Sequence, residues 1–450
     1  MSAQSRSLTC VTRRVLGLTL LVLAVSCPLT VTRAQTPLAT RVAAADGRVI
    51  VRFASRPTVC GDGREFIALG DRLTINGSYQ SIGGGEWGRR ACVPGPARVT
   101  LTTHGGVVSD VRVRVGGGPA GPSGATDDSA RDLGPVAAAD VAVYFIGLAG
   151  RTSGKTAEHA VMVAALADSA DVWRPLLALA RKHADVRVAQ SAMHWLGVIA
   201  PPEAVPVIAG VLRDSAERRP VREGAAVALA LAPDGIGVPT LVAAAGGVTA
   251  AGGGEPWVRE KAVFWLGNAR DPRARATLRT LAAADTAPEP VRAQAIFALG
   301  FLDRDEHQPD DNAAFLRALY PRLRAAQLQD KVIQSVAQRS DAASRRWLLD
   351  LAADAGQPLA ARKQALFWAG QQANVPIADL VGVDARLTGT EIRKQFTFML
   401  SQRPEDAAVD RLIAIARGDA DADVRRQAIF WLGQSRNPRA RRYLEAMVTQ

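Results

Sequence analysis

From about Pro135 onward, apolar residues recur every three to four positions, the spacing of one face of an α-helix, and the pattern itself repeats. Aligned on one recurring position, the anchors are Thr156, Val188, Val221, Val258, Val291, Leu328, Ala361, Ile392 and Val424, with spacings of 31 to 37 residues. The two longest spacings carry extra turns, at 245–254 and 303–312. The unit is clearest at Val258–Gly267, which reads Val-Arg-Glu-Lys-Ala-Val-Phe-Trp-Leu-Gly, and at Val424–Gly433, Val-Arg-Arg-Gln-Ala-Ile-Phe-Trp-Leu-Gly. Each is followed by a turn with Asp271-Pro272 or Asn437-Pro438. A helix that ends at the glycine, with Pro opening the next, is the expected punctuation. Nine such hairpins in register predict a right-handed α-solenoid over 135–450.

Upstream the period changes. Residues 41–116 alternate as strands do, notably Arg48–Phe53, Arg98–Thr102 and Val107–Val115, with turns at Gly61-Asp62-Gly63, Gly83-Gly84-Gly85 and Gly105-Gly106. This predicts a small all-β domain, and the Gly/Pro/Ser/Asp-rich stretch 117–134 reads as a linker. The first 34 residues have the form of an export signal: Arg6, Arg13 and Arg14, then an uncharged run from Val15 to Thr32, then Ala34 as a cleavage position. A lipoprotein at Cys27 and a retained anchor are lesser alternatives. With the signal gone no transmembrane segment is expected, and the protein is placed in the periplasm or outside the cell.

Composition sharpens this picture at two points. Of 450 residues, 55 are Lys or Arg and 43 Asp or Glu, a net charge of +12. The signal carries four arginines and no acid, so the mature chain is at +8. Behind an export signal that balance favours acidic partners or solubility over chromosomal DNA, and no nucleic-acid partner is expected. Of the four cysteines, Cys10 and Cys27 leave with the signal. Cys60 and Cys92 are then expected to form a disulfide, which would stabilise by roughly 3 kcal/mol through loop closure.

The repeat Val-Arg-x-x-Ala-x-x-x-Leu-Gly followed by Asp-Pro-x-Ala resembles HEAT repeats of the short type found in phycobilin lyase subunits, and also the repeats of exported bacterial HEAT-repeat proteins. The resemblance spans about 70% of the chain, strongest at Val258, Val291, Ala361 and Val424. It implies the fold and a role as a binding scaffold, with lyase-like activity or cofactor chaperoning as an alternative. Binding to nucleic acid, or to an anionic envelope surface through turn arginines such as Arg270, Arg273, Arg436 and Arg439, is a further alternative.

Candidate chemistry is sparse. Ala149–Thr156 imitates a phosphate loop through Gly150, Gly154, Lys155 and Thr156, but the first glycine is missing and helix, not alternating strand and helix, follows. It reads as a turn between helices. No Cys or His pairs stand at ligand spacing, and no nucleophile–base arrangement is evident, so neither metal, cofactor nor catalytic residue is expected. The arginines one place after the anchors (Arg222, Arg259, Arg292, Arg362, Arg393, Arg425) lie beside the core stripe and read as structural, paired with Asp or backbone carbonyls.

The position six after the anchor behaves differently. At 100° per residue it falls about 240° from the anchor, between polar columns, yet it holds Phe264, Phe297, Phe367, Phe398 and Phe430. Beside it stand Gln294, Gln364, Gln395, Gln427 and Lys261, and on the other flank Lys394 and Arg426. Two fates are open for these rings: sideways packing between repeats, or the concave wall of the solenoid, where a protein or peptide would bind a monomeric scaffold. The latter makes these twelve residues the candidate partner site. Trp195, Trp265, Trp368 and Trp431, one place further on, are expected to pack between repeats.

Overall fold

The computed structural model describes residues 36–449 apart from 65, 70–72, 77–78, 83–91, 117–129, 247–254, 270, 303–310, 340 and 372–374. The expected export signal (1–34), the Gly83–Gly85 turn, most of the expected linker, Arg270 and most of the two inserted turns lie outside the described residues.

A short helix, α1 (Leu38–Ala43), precedes β1 (Gly47–Phe53), β2 (Val59–Gly61), β3 (Phe66–Leu69), β4 (Leu73–Asn76), β5 (Tyr79–Ile82), β6 (Val93–Pro94), β7 (Ala97–His104), β8 (Val107–Val115) and β9 (Arg131–Pro135). One sheet has the order β8-β7-β1-β9, the other β5-β4-β3-β2-β6. Period-two patterning shows in what is buried: Val49, Val51 and Phe53 on β1, Val99 and Leu101 on β7. Gly105 and Gly106 both have positive φ (57° and 78°) and make the β7–β8 hairpin turn. Cys60 on β2 is bonded to Cys92, just before β6, with a Cα–Cα distance of 5.1 Å. The linker expectation fails at its C-terminal end. Residues 131–135 form β9, which pairs in parallel with β1, because Arg131 and Asp132 can extend an open sheet edge and Asp132 binds Arg52 across it (2.9 Å).

The rest is helical. The hairpins are α2 (Ala138–Arg151) with α3 (Gly154–Leu166), α4 (Trp173–Lys182) with α5 (Val186–Val198), α6 (Ala204–Arg213) with α7 (Arg219–Leu231), and α8 (Val238–Ala245) with α9 (Pro256–Leu266). They continue as α10 (Pro272–Ala283) with α11 (Glu289–Leu302), α12 (Asp311–Leu319) with α13 (Ala326–Ala337), and α14 (Ala342–Ala353) with α15 (Leu359–Gln371). Last come α16 (Ile377–Val383) with α17 (Thr390–Ser401), α18 (Asp406–Gly418) with α19 (Ala422–Gln434), and α20 (Pro438–Val448). Second helices stack on second helices without a break from α3 to α19, so every anchor lies in one layer. Eight of the nine anchors are at most 5% exposed. Thr156 is the exception: its hydroxyl donates to the Ser109 carbonyl of β8 (2.8 Å). Asp271 and Asn437 are N-caps, each accepting from the amide two residues on, with Pro at the first helical position.

The glycine of the Leu-Gly pair (Ala369-Gly370 in α15) ends its helix only at α9, where Gly267 is the C-cap. Helices α5, α11, α15 and α19 run through Gly197, Gly300, Gly370 and Gly433, and Gly267 has ordinary helical dihedrals (φ −65°, ψ −16°). What Gly197, Gly267 and Gly300 require is closeness. A Cβ on Gly197 would lie 2.3 Å from the Ala228 Cα, one on Gly267 2.6 Å from the Ala298 Cβ, and one on Gly300 2.8 Å from the Ser335 Cβ. In each case the obstacle is the next second helix.

The sheets and the helices share one core. Arg56 donates to the carbonyls of Ala165 (2.7 Å) and Ala170 (2.9 Å), past the last turn of α3, and the His159 Nδ1 lies 2.7 Å from the Val111 carbonyl of β8. The hydrophobic cluster runs from Leu38 through Val111 and Val161 to Ala440. The β unit therefore covers the first hairpin, whose apolar side has no preceding repeat to pack against.

Candidate partner-binding face

The face is built by the second helices. Anchor, alanine and leucine positions of each amphipathic helix point into the array, which turns the sixth position outward. Phe264 on α9 is 41% exposed and Phe430 on α19 is 53% exposed. Phe297 on α11, Phe367 on α15 and Phe398 on α17 are half-buried. By contrast Phe396, two residues from Phe398 on the same helix, is fully buried. The column continues N-terminally as half-buried Val227 on α7 and His194 on α5, and Gln334 on α13 interrupts the rings.

The rings pack and remain accessible together. Phe264, Phe367 and Phe430 each stand edge-on to the following Trp, with centroids 4.9 to 5.4 Å apart. Phe398 reaches across to Trp431 of the next second helix at 5.2 Å, and Phe297 meets Phe301 one turn on at 4.6 Å. Phe301 escaped the sequence reading because it lies ten residues after its anchor, where other repeats hold no aromatic residue. Trp195 is wholly buried, whereas Trp265, Trp368 and Trp431 are half-buried. Lys331 of α13 lies 5.8 Å from the Phe297 ring, a cation–π contact that ties adjacent repeats.

Gln294, Gln364, Gln395, Gln427 and Lys261 flank the rings and are half-buried. On the other flank Lys394 and Arg426 do not stand as free cations. Lys363 binds Glu391 (3.2 Å), Glu391 also binds Lys394 (3.5 Å), Lys394 approaches Asp423 (3.8 Å), and Arg426 pairs with Asp423. The chain crosses α15, α17 and α19, and the two ammonium groups hold the Glu391 carboxyl below its ordinary range. Largely exposed pairs of this kind are worth about 0–1 kcal/mol each, so they set the charge of the surface more than its stability.

His194 departs from the other column members in chemistry. Its Nε2 is shut off from solvent and has no hydrogen-bond partner among the described residues. Burial pushes its pKa down to about 4, so the ring is neutral near pH 7.

The arginines after the anchors turn inward, as their place on the wheel predicts. Arg222, Arg292 and Arg362 donate through Nε to the carbonyls of Leu212, Ala282 and Ala352, each ten residues back at the end of the partner helix (3.1, 3.3 and 3.0 Å). A cation there meets the negative end of the helix dipole and occupies carbonyls the helix leaves unpaired. A second arm reaches the next repeat: Arg222 to Glu255, Arg362 to the Thr388 carbonyl (3.1 Å), Arg393 to Asp419. Of the turn arginines, Arg273 is bound by Asp271 (2.7 Å) and Arg439 by Asp406 (3.2 Å). The segment that imitates a phosphate loop is the end of α2, a two-residue turn and the start of α3. Among the described residues no helix is long and apolar enough to cross a membrane. No group of three or more His, Cys, Asp or Glu among them is placed to hold a metal.

A family model described as HEAT repeats matches residues 248–326. No curated protein sequence matches the chain significantly. Among solved structures, the chain is similar to human deoxyhypusine hydroxylase in complex with glycerol, at 19% identity over 56% of this chain and 91% of that one, with a TM-score of 0.26. It is similar to the CpcE–CpcF complex of phycocyanin lyase from Nostoc at 18% identity, over 58% of this chain and 94% of that one, with a TM-score of 0.27. It is similar to importin beta at 13% identity, over 65% of this chain and 46% of that one, with a TM-score of 0.36; it thus spans under half of the importin's length. The matched segment contains α9 to α12, and helical hairpins packed in the same way continue on both sides of it, so the helical part of this chain is an α-solenoid of HEAT-like hairpins.

Proposed function

We propose that this chain is an exported, monomeric, non-enzymatic scaffold that holds an extended polypeptide along its second-helix face, on the concave side of the solenoid. One observation carries the reading: large rings recur at one outward position of α9, α11, α15, α17 and α19, and all five reach solvent although a complete core lies directly beneath them. Aromatic side chains displayed at one recurring outward position favour a partner surface, since rings are the residues that anchor interfaces. The Cys60–Cys92 bond supports an oxidising compartment, in agreement with the signal-like first 34 residues.

The test is site-specific photo-cross-linking in envelope extract of the producing cell. A benzophenone side chain in place of Phe430 should give one discrete adduct, and the same group at Thr280 on the opposite layer should give none. No adduct at position 430, or the same adduct from both positions, would sink the proposal.

A further inference from the structure

We infer that the polypeptide taken by the second-helix face is proline-rich and docks as a polyproline II helix, presenting every third residue to the column. The inference rests on the reading of that face as a binding surface, and its first support is period. From α15 to α19 the column supplies one ring per second helix, and packed helices lie about 8–10 Å apart. A polyproline II helix has three residues per turn at about 3.1 Å each, so the same side returns every ~9.3 Å. A β-strand returns a side chain to one face at about 6.6 Å and again at about 13 Å, out of phase with such a row. An α-helix returns a face at every turn of about 5.4 Å and would meet such a row only at alternate turns, and its width would cover the ring column and both flanks. Phe367, Phe398 and Phe430 occupy three successive second helices, α15, α17 and α19, so a ligand in phase with the array meets three rings in a row.

Chemistry agrees with the period. Aromatic-lined grooves receive pyrrolidine rings, and the ligand arrives with its backbone already ordered. A polyproline II backbone makes no internal hydrogen bonds, so its carbonyls need donors from the surface. Gln364, Gln395 and Gln427 place one amide beside each of those three rings, and glutamine can donate and accept. Charge points the same way. Lys363, Lys394 and Arg426 are all already paired, sharing the carboxylates of Glu391 and Asp423 along this stretch with one positive charge in excess, so a strongly charged ligand would compete with existing pairs, whereas an uncharged proline-rich segment breaks none.

The experiment is a selection of displayed random 15-residue peptides on the purified full chain, with the winners remeasured by fluorescence anisotropy on Phe264→Ser/Phe430→Ser. Peptides weakened at least tenfold by that variant should carry proline at a three-residue spacing, and inserting a single residue into that spacing should cost at least tenfold in affinity. Gln364→Ala/Gln395→Ala/Gln427→Ala, which keeps every ring, should weaken the same peptides and guards against a misfolded Phe variant. Variant-sensitive peptides with two-residue alternation or helical spacing would overturn the polyproline inference and leave the face as a binding surface. Peptides bound equally by wild type and both variants would overturn both.

Discussion

At Arg362 one guanidinium joins two hairpins: Nε holds the end of α14 through Ala352, and Nη2 holds the entry to α17 through Thr388. The side chain is 6% exposed, so water cannot replace it. Arg362→Ala should therefore cost about 1–3 kcal/mol in urea unfolding for the carbonyls left unmet. Lys should rescue little, because a single ammonium cannot span both acceptors in the fixed fork of a guanidinium. His194 gives a pH prediction with a definite sign. Its folded pKa of about 4 lies below the ordinary 6.5, so between those values the unfolded chain takes up a proton that the folded one refuses. Stability is complete above about pH 6.5 and is lost as pH falls toward about 4. His194→Phe, which installs the residue most repeats carry there, should flatten the melting-temperature profile across that window. An unchanged profile would mean that the ring is not desolvated.

Among the elements, the Leu-Gly pair separates what a sequence pattern can and cannot tell. Its recurrence marked the repeat correctly, and the anchors, caps and proline-opened helices followed from local rules that act within one helix. Why glycine stands there did not follow, because the obstacle is an atom of the next repeat, and nothing local says how close that repeat comes. The same holds for β9, whose partner β1 is some eighty residues earlier in the chain. The ring column could be placed on the wheel, but exposure depends on how far adjacent helices cover it. Gly300→Ala should push α11 off α13, since its Cβ would meet Ser335 at 2.8 Å and the Ser335 backbone at 3.0 Å. Gly433→Ala on α19 meets nothing within 4 Å and should stabilise by about 0.5–1 kcal/mol, the helix preference of Ala over Gly. Equal effects at the two positions would remove close packing as the reason for the glycine.

Over the whole molecule, one core passes from the sheets into the helices, so the β unit and the first hairpin should stand or fall together. Cys60→Ser/Cys92→Ser releases a 32-residue span, which should cost about 3 kcal/mol. The loss should also appear as faster amide hydrogen exchange in α3, because β8 and Arg56 hold that helix. Unchanged exchange in α3 beside a loosened β unit would show that the two fold independently. Such coupling at one end suits a solenoid, in which each repeat touches only its neighbours and a terminal face needs its own cover.

The central claim is that the outward rings belong to a surface and not to the core, and thermal unfolding of two variants side by side tests it most directly. Phe396→Ala removes a wholly buried ring and should cost about 3–5 kcal/mol, or about 4–6 °C of melting temperature in a chain of this length. Phe264→Ser/Phe430→Ser removes two rings that are 41% and 53% exposed and should lower it by no more than about 1–2 °C on the same scaling. If the double variant instead melts as early as Phe396→Ala, the column is core, and the face described here is not a binding surface.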